Sequence, residues 1–291
     1  MQVPHRIVTT RRATVFGALA TALRARGAKA QDKTNAARAA LPAATRASGV
    51  LRVATSLQWP PFAFTNSDGK PDGIDIRLIT LLAQRLGLRP EIEDIKFPTI
   101  VPGVSSGRYD VGLDQINITA ERAKVVDFVP YSKDGLGLLV RQGTAGMDVN
   151  DLCGRTLVLT QGSAQVGIAE GLSSSCVTAG KKEISFLFYP NSADTYLALA
   201  NGRGDGFLIG RASGLNIART NPKLEMTGGA LRGMSTVSGI VIAKGNAALA
   251  EALRLALEVA VADATYAHLF DEFGLAEAAL TVNEIRNPPP V

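Results

Sequence analysis

Two strand-to-helix turns contain residue types that hold anions. Residues 119–122 (TAER) follow a predicted strand, and Thr119 is expected to cap the short helix that begins there. A helix N-terminus presents free N–H groups, and a guanidinium such as that of Arg122 can bind a carboxylate through two hydrogen bonds. The pattern predicts a carboxylate site, although an ordinary capped helix with a surface arginine has the same sequence.

The second turn, residues 161–164 (QGSA), lies in the other half of the chain. Gly162 lets a ligand approach the backbone closely, and Ser163 can cap the next helix or donate its hydroxyl to a ligand. Alone this turn is unremarkable. Because each half of the chain has one turn that can bind an anion, the sequence predicts a small carboxylate bound between two lobes.

The single tryptophan, Trp59, lies in a WPPF segment directly after the first predicted strand. An aromatic ring at a strand end can stack on a ligand or pack in the core. Both roles stay open for Trp59, whereas core packing is expected for Phe62.

Groups for nucleophilic or metal catalysis are scarce. The two histidines, His5 and His268, lie at opposite ends of the chain, so no histidine cluster can serve a Ser–His–Asp triad or a histidine metal site. Neither GxxxxGK nor GxGxxG occurs. We therefore predict no metal and no cofactor, while acid–base chemistry by Asp and Glu stays open.

Alternating strand-like and helix-like segments from residue 50 onward must position these turns. The predicted strands are Leu51–Thr55, Glu91–Ile95, Asp110–Asp114, Leu136–Arg141, Thr156–Thr160, Ile184–Tyr189, Gly206–Ile209 and Ile240–Ala243. The predicted helices are Ile74–Leu86, Ile100–Ser106, a short one capped by Thr119, one that follows Ser163, Ser192–Ala200, Ala247–Ala262 and Thr265–Phe273. This alternation predicts an α/β fold of open sheets with helices on both faces.

The composition is that of an ordinary globular chain, with 46% apolar and 20% charged residues among 291. The length predicts two domains or one large one, and no apolar run reaches the ~18 residues of a membrane span. The net charge of +5 arises in residues 1–30, which hold six basic residues and no acidic one; the rest has 25 basic and 26 acidic residues. A basic face for nucleic acid is therefore not expected.

Residues 1–30 have the pattern of an export signal. An arginine pair at 11–12 precedes a short apolar stretch, 13–23, and a small-residue cleavage site at 28–30. The twin-arginine and general routes both stay open, and a disordered basic tail is the alternative. No cysteine lies near the cleavage site, so a periplasmic protein without a lipid anchor is expected. The alanine-rich residues 31–49 are expected to form a leader or a short, poorly ordered helix.

Two cysteines occur, Cys153 and Cys176. In an oxidising compartment they can form a disulfide, which in a loop of this length stabilises by roughly 3 kcal/mol in the chain-entropy model. Two unpaired buried thiols are the alternative.

The order of the motifs resembles family 3 of the periplasmic solute-binding proteins, the receptors of polar amino-acid ABC importers. Each matching segment is modest alone, whereas the ordered set is specific. The segments are LRVATSLQWPPFAF (51–64), DGIDIRLITLLAQRLG (72–87), GRYDVGLDQINITAERAKVVDFVPY (107–131), DLCGRTLVLTQGSA (151–164), NGRGDGFLIG (201–210), SGIVIAKGN (238–246) and ATYAHLFDEFG (264–274). The cysteine pair is also similar to that of a family branch in which the two are bridged.

The resemblance implies a two-lobed, type II periplasmic-binding-protein-like fold with two crossing hinge strands, near residues 131–137 and 233–239. Lobe 1 would comprise residues 50–133 plus 239–291, and lobe 2 residues 134–238. Hinge closure would trap the ligand between the lobes, and a membrane permease would read the closed shape.

Matching positions imply roles for lobe 1 residues. Arg122 resembles the arginine that binds the α-carboxylate, and Asn117 and Thr119 match positions whose backbone or hydroxyl groups contact it. Trp59 matches an aromatic residue that lines the side-chain pocket. Ser56 matches a position that is often polar or acidic.

On lobe 2, Ser163 and Ala164 match positions that reach the same carboxylate. The chain departs from the family where an aspartate usually binds the α-ammonium: Gly210 stands there, followed by Arg211. A buried ammonium without a partner is costly, so either the ligand lacks one or another acid serves. Asp114 is the candidate; a pocket-rim position or a salt bridge to Arg211 is its alternative.

The sequence thus favours a monomeric periplasmic receptor, not an enzyme, that captures a small carboxylate solute by hinge closure. An amino acid is the foremost ligand, and an ABC importer permease is the expected partner. One alternative is a dehydratase on the same scaffold that acts on a prephenate-like acid, because such an enzyme need not bind an ammonium. A sensory domain is a third possibility and would normally be tethered to a membrane segment.

Overall fold

The computed structural model describes residues 31–144 and 146–288, so the predicted signal segment lies outside the described residues. The strands are β1 (Val50–Thr55), β2 (Gln58–Trp59), β3 (Ala63–Thr65), β4 (Pro71–Asp72), β5 (Arg89–Asp94), β6 (Val111–Gly112), β7 (Val126–Arg141), β8 (Thr156–Thr160), β9 (Ser185–Tyr189), β10 (Gly206–Gly210), β11 (Leu224–Met226) and β12 (Ser235–Ala243). The helices are α1 (31–40), α2 (Ala43–Ser48), α3 (Ile74–Leu86), α4 (Ile100–Ser105), α5 (Ala120–Ala123), α6 (Ala164–Thr178), α7 (Ser192–Ala200), α8 (Arg211–Thr220), α9 (Ala247–Ala262), α10 (Thr265–Glu272) and α11 (Val282–Arg286). Within the described residues, none of the helices is both long and apolar enough to cross a membrane.

One mixed sheet runs through the molecule in the order β5-β1-β6-β12-β7-β10-β8-β9, with β11 beside β7. At one end β1 pairs in parallel with β5 and β6, and at the other β8 pairs in parallel with β9 and β10. We call these halves lobe 1 and lobe 2. The long antiparallel pair of β7 and β12 passes between them. The two-lobed α/β fold expected from the sequence is confirmed.

The predicted lobe boundaries fall inside the two connecting strands. The first, 133/134, lies within β7, and the second, 238/239, lies within β12. At the second boundary the pairing register of the strands shifts between Ser238 and Gly239. The residues at which each lobe begins and ends stay a prediction.

Lobe 1 covers both faces of its part of the sheet with apolar side chains. Alternate residues of β1 point to opposite faces: Leu51 and Val53 pack with Leu78 of α3, whereas Ala54 packs with Ile100 of α4. Apart from the exposed Arg52, β1 is mostly apolar, as is typical of a parallel strand that is covered on both faces.

Lobe 2 repeats this arrangement on a smaller scale. Leu157 and Leu159 of β8 face the cluster that α6 covers, and Val158 faces the opposite cluster. Cys153 and Cys176 form a disulfide that fastens the last turn of α6 to the loop before β8. The predicted pairing is confirmed.

Some elements differ from the sequence prediction. The predicted strands at 136–141 and 240–243 are the ends of the longer β7 and β12, whereas β6 spans only Val111–Gly112. Helix α8 was not predicted, because its sequence (RASGLNIART) mixes polar and small residues without a sustained apolar stripe.

Residues 31–49 form α1 and α2, which lie against lobe 1 instead of forming a poorly ordered segment. Ala37 and Leu41 are buried in the lobe 1 core. Lys33 forms an ion pair with the buried Glu258 of α9, with an N–O distance of 3.2 Å. These contacts bury alanine-rich sequence that has no strong pattern of its own.

Candidate functional site

Arg122 lies at the edge of lobe 1 and reaches lobe 2. The hydroxyl oxygen of Thr119 caps α5 by accepting a hydrogen bond from the backbone N–H of Arg122, at 3.2 Å. In the side chain, Nη1 donates to the carbonyl of Asn117 (2.7 Å) and Nη2 donates to the carbonyl of Gly162 in lobe 2 (3.0 Å). Burial lowers the pKa of Arg122 to about 10, so the guanidinium remains charged at neutral pH.

Asp114 lies on the lobe 1 wall of the same region. Because β1 and β6 are parallel neighbours, Ser56 and Asp114 follow them at the same edge of the sheet. The Ser56 hydroxyl donates to Oδ2 of Asp114, whereas Oδ1 is buried without a hydrogen-bond partner among the described residues. The residue is 3% exposed, and burial raises its pKa well above the usual aspartate range.

The lobe 2 turn between β8 and α6 faces these groups. Gly162 has a φ of 74°, a left-handed conformation that favours glycine. Ser163 occupies the N-cap position of α6, but its side chain does not cap the helix, and its hydroxyl has no partner among the described residues. This turn therefore offers a free hydroxyl and a helix N-terminus beside the Arg122 guanidinium.

These groups line one interlobe cavity, which with its mouth encloses about 400 Å³. Its lining residues are Ser56, Trp59, Phe97, Asp114, Gln115, Asn117, Arg122, Thr160, Ser163, Ala164, Gln165 and Ser192. The structure thus brings together most of the predicted site residues. Thr119 and Gly162 do not line the cavity; they act on Arg122 through the cap and the carbonyl described above.

Sequence reasoning missed several lining residues. Gln165 is buried, and its Nε2 lies 3.5 Å from Oδ1 of Asn117 on the opposite lobe. Its place directly after the QGSA turn was a signal that could have been used. Phe97 lies beneath the Arg122 guanidinium, 6.0 Å from the ring centre, and nothing local in the sequence links the two.

A chain of polar side chains connects the cavity wall to the connecting strands. Asn117 donates to the hydroxyl of Ser238 (3.0 Å), Ser238 donates to Gln115 (2.8 Å), and Gln115 donates to Ser132 (2.9 Å). Ser132 and Ser238 are paired across β7 and β12. The cavity wall is therefore bonded directly to the strands that join the lobes.

A second, smaller cavity adjoins the first and shares part of its wall. Together with the open space at its mouth it spans about 250 Å³, and it is lined by Trp59, Phe62, Gln115, Asn117, Asp134, Gln165, Gly210, Ser213 and Thr236. The carboxylate of Asp134 accepts backbone hydrogen bonds from Gly135 (2.8 Å) and Ala212 (3.2 Å). Burial raises the pKa of Asp134 to about 6. Sequence reasoning did not single this acid out.

The structure does not support the two alternative roles that the sequence left open for Asp114, a salt bridge to Arg211 and a pocket-rim position. Asp114 forms no ion pair with Arg211 among the described residues, because Arg211 turns to the carbonyl of Gly229. Asp114 is also an inner wall residue and not part of an exposed rim. His268, with 72% of its side chain exposed, lies outside both cavities beside Glu272, as a surface residue does.

Comparison with known proteins identifies relatives of the whole two-lobed unit. Residues 51–276 match the model of the bacterial extracellular solute-binding proteins, family 3. The L-cystine-binding protein TcyJ of Escherichia coli is 29% identical over 230 residues, which are 77% of this chain and 82% of that protein. The cyclohexadienyl dehydratase of Pseudomonas aeruginosa is 24% identical over 61% of this chain and 65% of that enzyme.

Solved structures have the same fold. An ancestral arginine-binding protein bound to arginine superposes with a TM-score of 0.70 at 30% identity, over 77% of this chain and 98% of that protein. Since the family model covers residues 51–276, most of the chain, the match does not depend on a single motif. The chain belongs to the bacterial extracellular solute-binding proteins, family 3.

Proposed function

We propose that the protein is a periplasmic receptor that binds an amino acid between its lobes and delivers it to an ABC importer. One observation carries the proposal. In a single interlobe cavity, a charged guanidinium that contacts both lobes accompanies a buried carboxyl with an unpartnered oxygen. A zwitterion complements such a pair of groups. Relatives named for binding cystine and arginine support this function.

In this proposal Arg122 binds the α-carboxylate. Two of its five N–H groups are used by the protein, which leaves three for a ligand. From lobe 2 the Ser163 hydroxyl and the α6 N-terminus at Ala164 add uncharged donors. Gly162 and Thr119 hold the guanidinium in place.

Asp114 then binds the α-ammonium, with Ser56 holding its other oxygen. Trp59 lies in the wall of both cavities and lines the space for the ligand side chain. Asn117 completes the wall and links it to Ser238 of β12.

Closure moves the lobes about β7 and β12, and we keep the predicted boundaries, 50–133 plus 239–291 and 134–238, as the proposed moving units. Residues 1–30 are the proposed export signal, by either route. The receptor acts as a monomer and presents its closed form to the permease. Ligand binding can favour closure only by the difference in affinity between the two forms.

An enzymatic role has one specific observation in its favour. A buried carboxyl with a raised pKa, such as Asp114, suits general acid catalysis, and one relative is a dehydratase. We propose binding without turnover, because the cavity combines the acid with a carboxylate-binding arginine and the curated relatives include binding proteins that match at higher identity.

Titration calorimetry of the mature protein against amino acids and organic acids tests the proposal. We expect saturable binding of at least one amino acid, which is recovered unchanged afterwards. A parallel incubation with prephenate and arogenate, followed by absorbance, detects dehydratase activity. Turnover of either acid together with binding of no amino acid would overturn the receptor proposal.

A further inference from the structure

The two adjoining cavities have an unequal number of positive and negative groups in their walls. Among the described residues that line them, the charged ones are Arg122, Asp114 and Asp134. Arg122 and Asp114 line the larger cavity, and Asp134 lies between the smaller one and a groove on its other side. Trp59 and Asn117 belong to the wall that both cavities share, so a ligand extending past Trp59 would reach Asp134.

No side chain of the described residues neutralises either acid. Neither Asp114 nor Asp134 forms an ion pair with a lysine or arginine there. Arg211 and Glu277 line a surface groove behind Asp134. The positive charge of Arg211 lowers the pKa of Asp134, and the negative charge of Glu277 raises it. The Arg211 guanidinium donates its hydrogen bond to the carbonyl of Gly229 and not to Asp134. The partners of Asp134 are backbone N–H groups, which orient the carboxylate without neutralising it.

The Asp134 carboxylate lies in the space that the missing side chain of Gly210 leaves free. A Cβ built on Gly210 would lie 2.7 Å from Oδ2 of Asp134, closer than atoms of this kind approach. The carboxylate thus occupies the space beside Gly210 at the cavity wall. Any side chain at position 210 would displace it.

A neutral amino acid does not balance these charges. Its carboxylate pairs with Arg122 and its ammonium with one acid, so the second acid, the half-buried Asp134, would have no cation bonded to it among the described residues. A carboxylate shielded from water without a cationic partner is unfavourable, so a proton or the ligand would neutralise it. A ligand with a second cationic group would supply the missing partner.

We propose that the ligand is a cationic amino acid, with one carboxylate and two cationic groups, and that Asp134 binds its side-chain cation. The inference depends on the proposed function, because it takes Arg122 and Asp114 as the partners of the α-carboxylate and the α-ammonium. Arginine, lysine and ornithine belong to this class. A second carboxylate, as in cystine, would meet no cationic partner among the described lining residues.

The test compares arginine with citrulline, its uncharged isostere, by titration calorimetry on the mature protein. Lysine, ornithine, glutamine and cystine complete the panel. We expect arginine to bind at least roughly thirtyfold more tightly than citrulline, because a buried charge pair is lost in the second case. Asp134→Asn should reduce that ratio to near one, by weakening arginine and strengthening citrulline. Asp68→Asn, an exposed carboxylate remote from the cavities, is the control and should change neither affinity.

Several results would overturn the inference. Equal wild-type affinities for arginine and citrulline would do so, as would tighter binding of cystine than of arginine. An Asp134→Asn protein that unfolds at the wild-type temperature but loses arginine and citrulline equally would make Asp134 a general ammonium partner instead. If neutral amino acids bind and cationic ones do not, this inference fails while the proposed function stands. Binding of no amino acid would count against the proposed function as well.

Discussion

The two lobes contribute different chemistry to the larger of the two adjoining cavities. Lobe 1 supplies the charged groups Arg122 and Asp114, each already held by hydrogen bonds within the protein. Lobe 2 supplies uncharged groups, the carbonyl of Gly162, the hydroxyl of Ser163 and the start of α6. In this cavity lobe 1 therefore positions both charged groups, and lobe 2 adds uncharged hydrogen-bonding groups beside them.

The lobes are also stabilised differently. The largest buried apolar cluster belongs to lobe 1, where α3, α9 and α10 pack together over the sheet. The lobe 2 clusters are smaller, and one contains the bridged Cys176. A disulfide contributes a larger share of the stability of a unit whose apolar core is small. Among the described residues, the fully buried acids Asp75, Asp114 and Glu258 all lie in lobe 1, whereas Asp134, at the predicted boundary of lobe 2, is half-buried.

The largest expected effect concerns Asp75 of lobe 1. The residue is fully buried, one oxygen accepts a hydrogen bond from the backbone N–H of Gln115 at 2.9 Å, and Asp114 and Tyr131 are titratable groups near it. Burial raises the pKa of Asp75 from 3.8 to about 7. Between pH 3.8 and about 7 the Asp75 carboxyl keeps its proton in the folded protein and loses it in the unfolded chain, so the free energy of unfolding falls as pH rises. The loss is about 4 kcal/mol at 1.36 kcal/mol per pKa unit.

Urea unfolding across this pH range measures the effect. Asp75→Asn should flatten the fall in the free energy of unfolding, whereas Asp151→Asn, an exposed acid of lobe 2, should leave the wild-type profile unchanged. An Asp75→Asn profile that falls as steeply as the wild type would show that this carboxyl ionises freely in the folded protein.

Removal of the lobe 1 cation should have the next largest effect. Arg122→Ala leaves the ligand carboxylate without its charged partner, and we expect affinity to fall at least about a hundredfold, or ~3 kcal/mol. Arg122→Lys keeps the charge but not the planar guanidinium, so its affinity should lie between those of the wild type and Arg122→Ala. Arg108→Ala, which removes an exposed arginine paired with Glu93, is the control in calorimetry. Unchanged affinity in Arg122→Ala would remove this residue from the site.

The disulfide tests the stability side of the comparison. Replacing Cys153 and Cys176 together by alanine opens a loop with a sequence separation of 23. We expect the free energy of unfolding to drop by about 3 kcal/mol, since the unfolded chain gains freedom. Chemical unfolding at neutral pH measures this, with Ser175→Ala on the exposed face of α6 as control. A loss below about 0.5 kcal/mol would mean that the apolar core alone holds lobe 2.

Local sequence signals predicted much of the fold. Ile74–Leu86, Thr156–Thr160, Ser192–Ala200 and Ala247–Ala262 have the predicted bounds, because each is delimited by a cap, a glycine or a sharp change of pattern. The local pattern does not predict strand for the central part of β7, residues 132–135 (SKDG), and only the family resemblance implied a hinge strand near 131–137. It is polar, and it is extended because it pairs with β12, which lies a hundred residues away.

The site residues also differ in whether the local sequence predicts them. Arg122 and Ser163 lie in turns with recognisable residue types, so their place in the cavity could be predicted from local pattern, whereas the place of Asp114 was implied by the family resemblance. Asp134 has no such local signal. Asp134 reaches the cavity only because Gly210 leaves room beside β10, and that is a property of the tertiary packing.

The smallest expected effect belongs to the neutral donor of lobe 2. Ser163→Ala removes a hydroxyl that has no protein partner among the described residues, so one hydrogen bond to the ligand is lost and no buried group is orphaned. A neutral hydrogen bond contributes about 1 kcal/mol, which corresponds to roughly a fivefold loss of affinity in calorimetry. Ser174→Ala, on the exposed side of the same helix, should leave the affinity unchanged. If Ser163→Ala cost as much as Arg122→Ala, then lobe 2 would bind the carboxylate as strongly as lobe 1, and the division of chemistry between the lobes would be wrong.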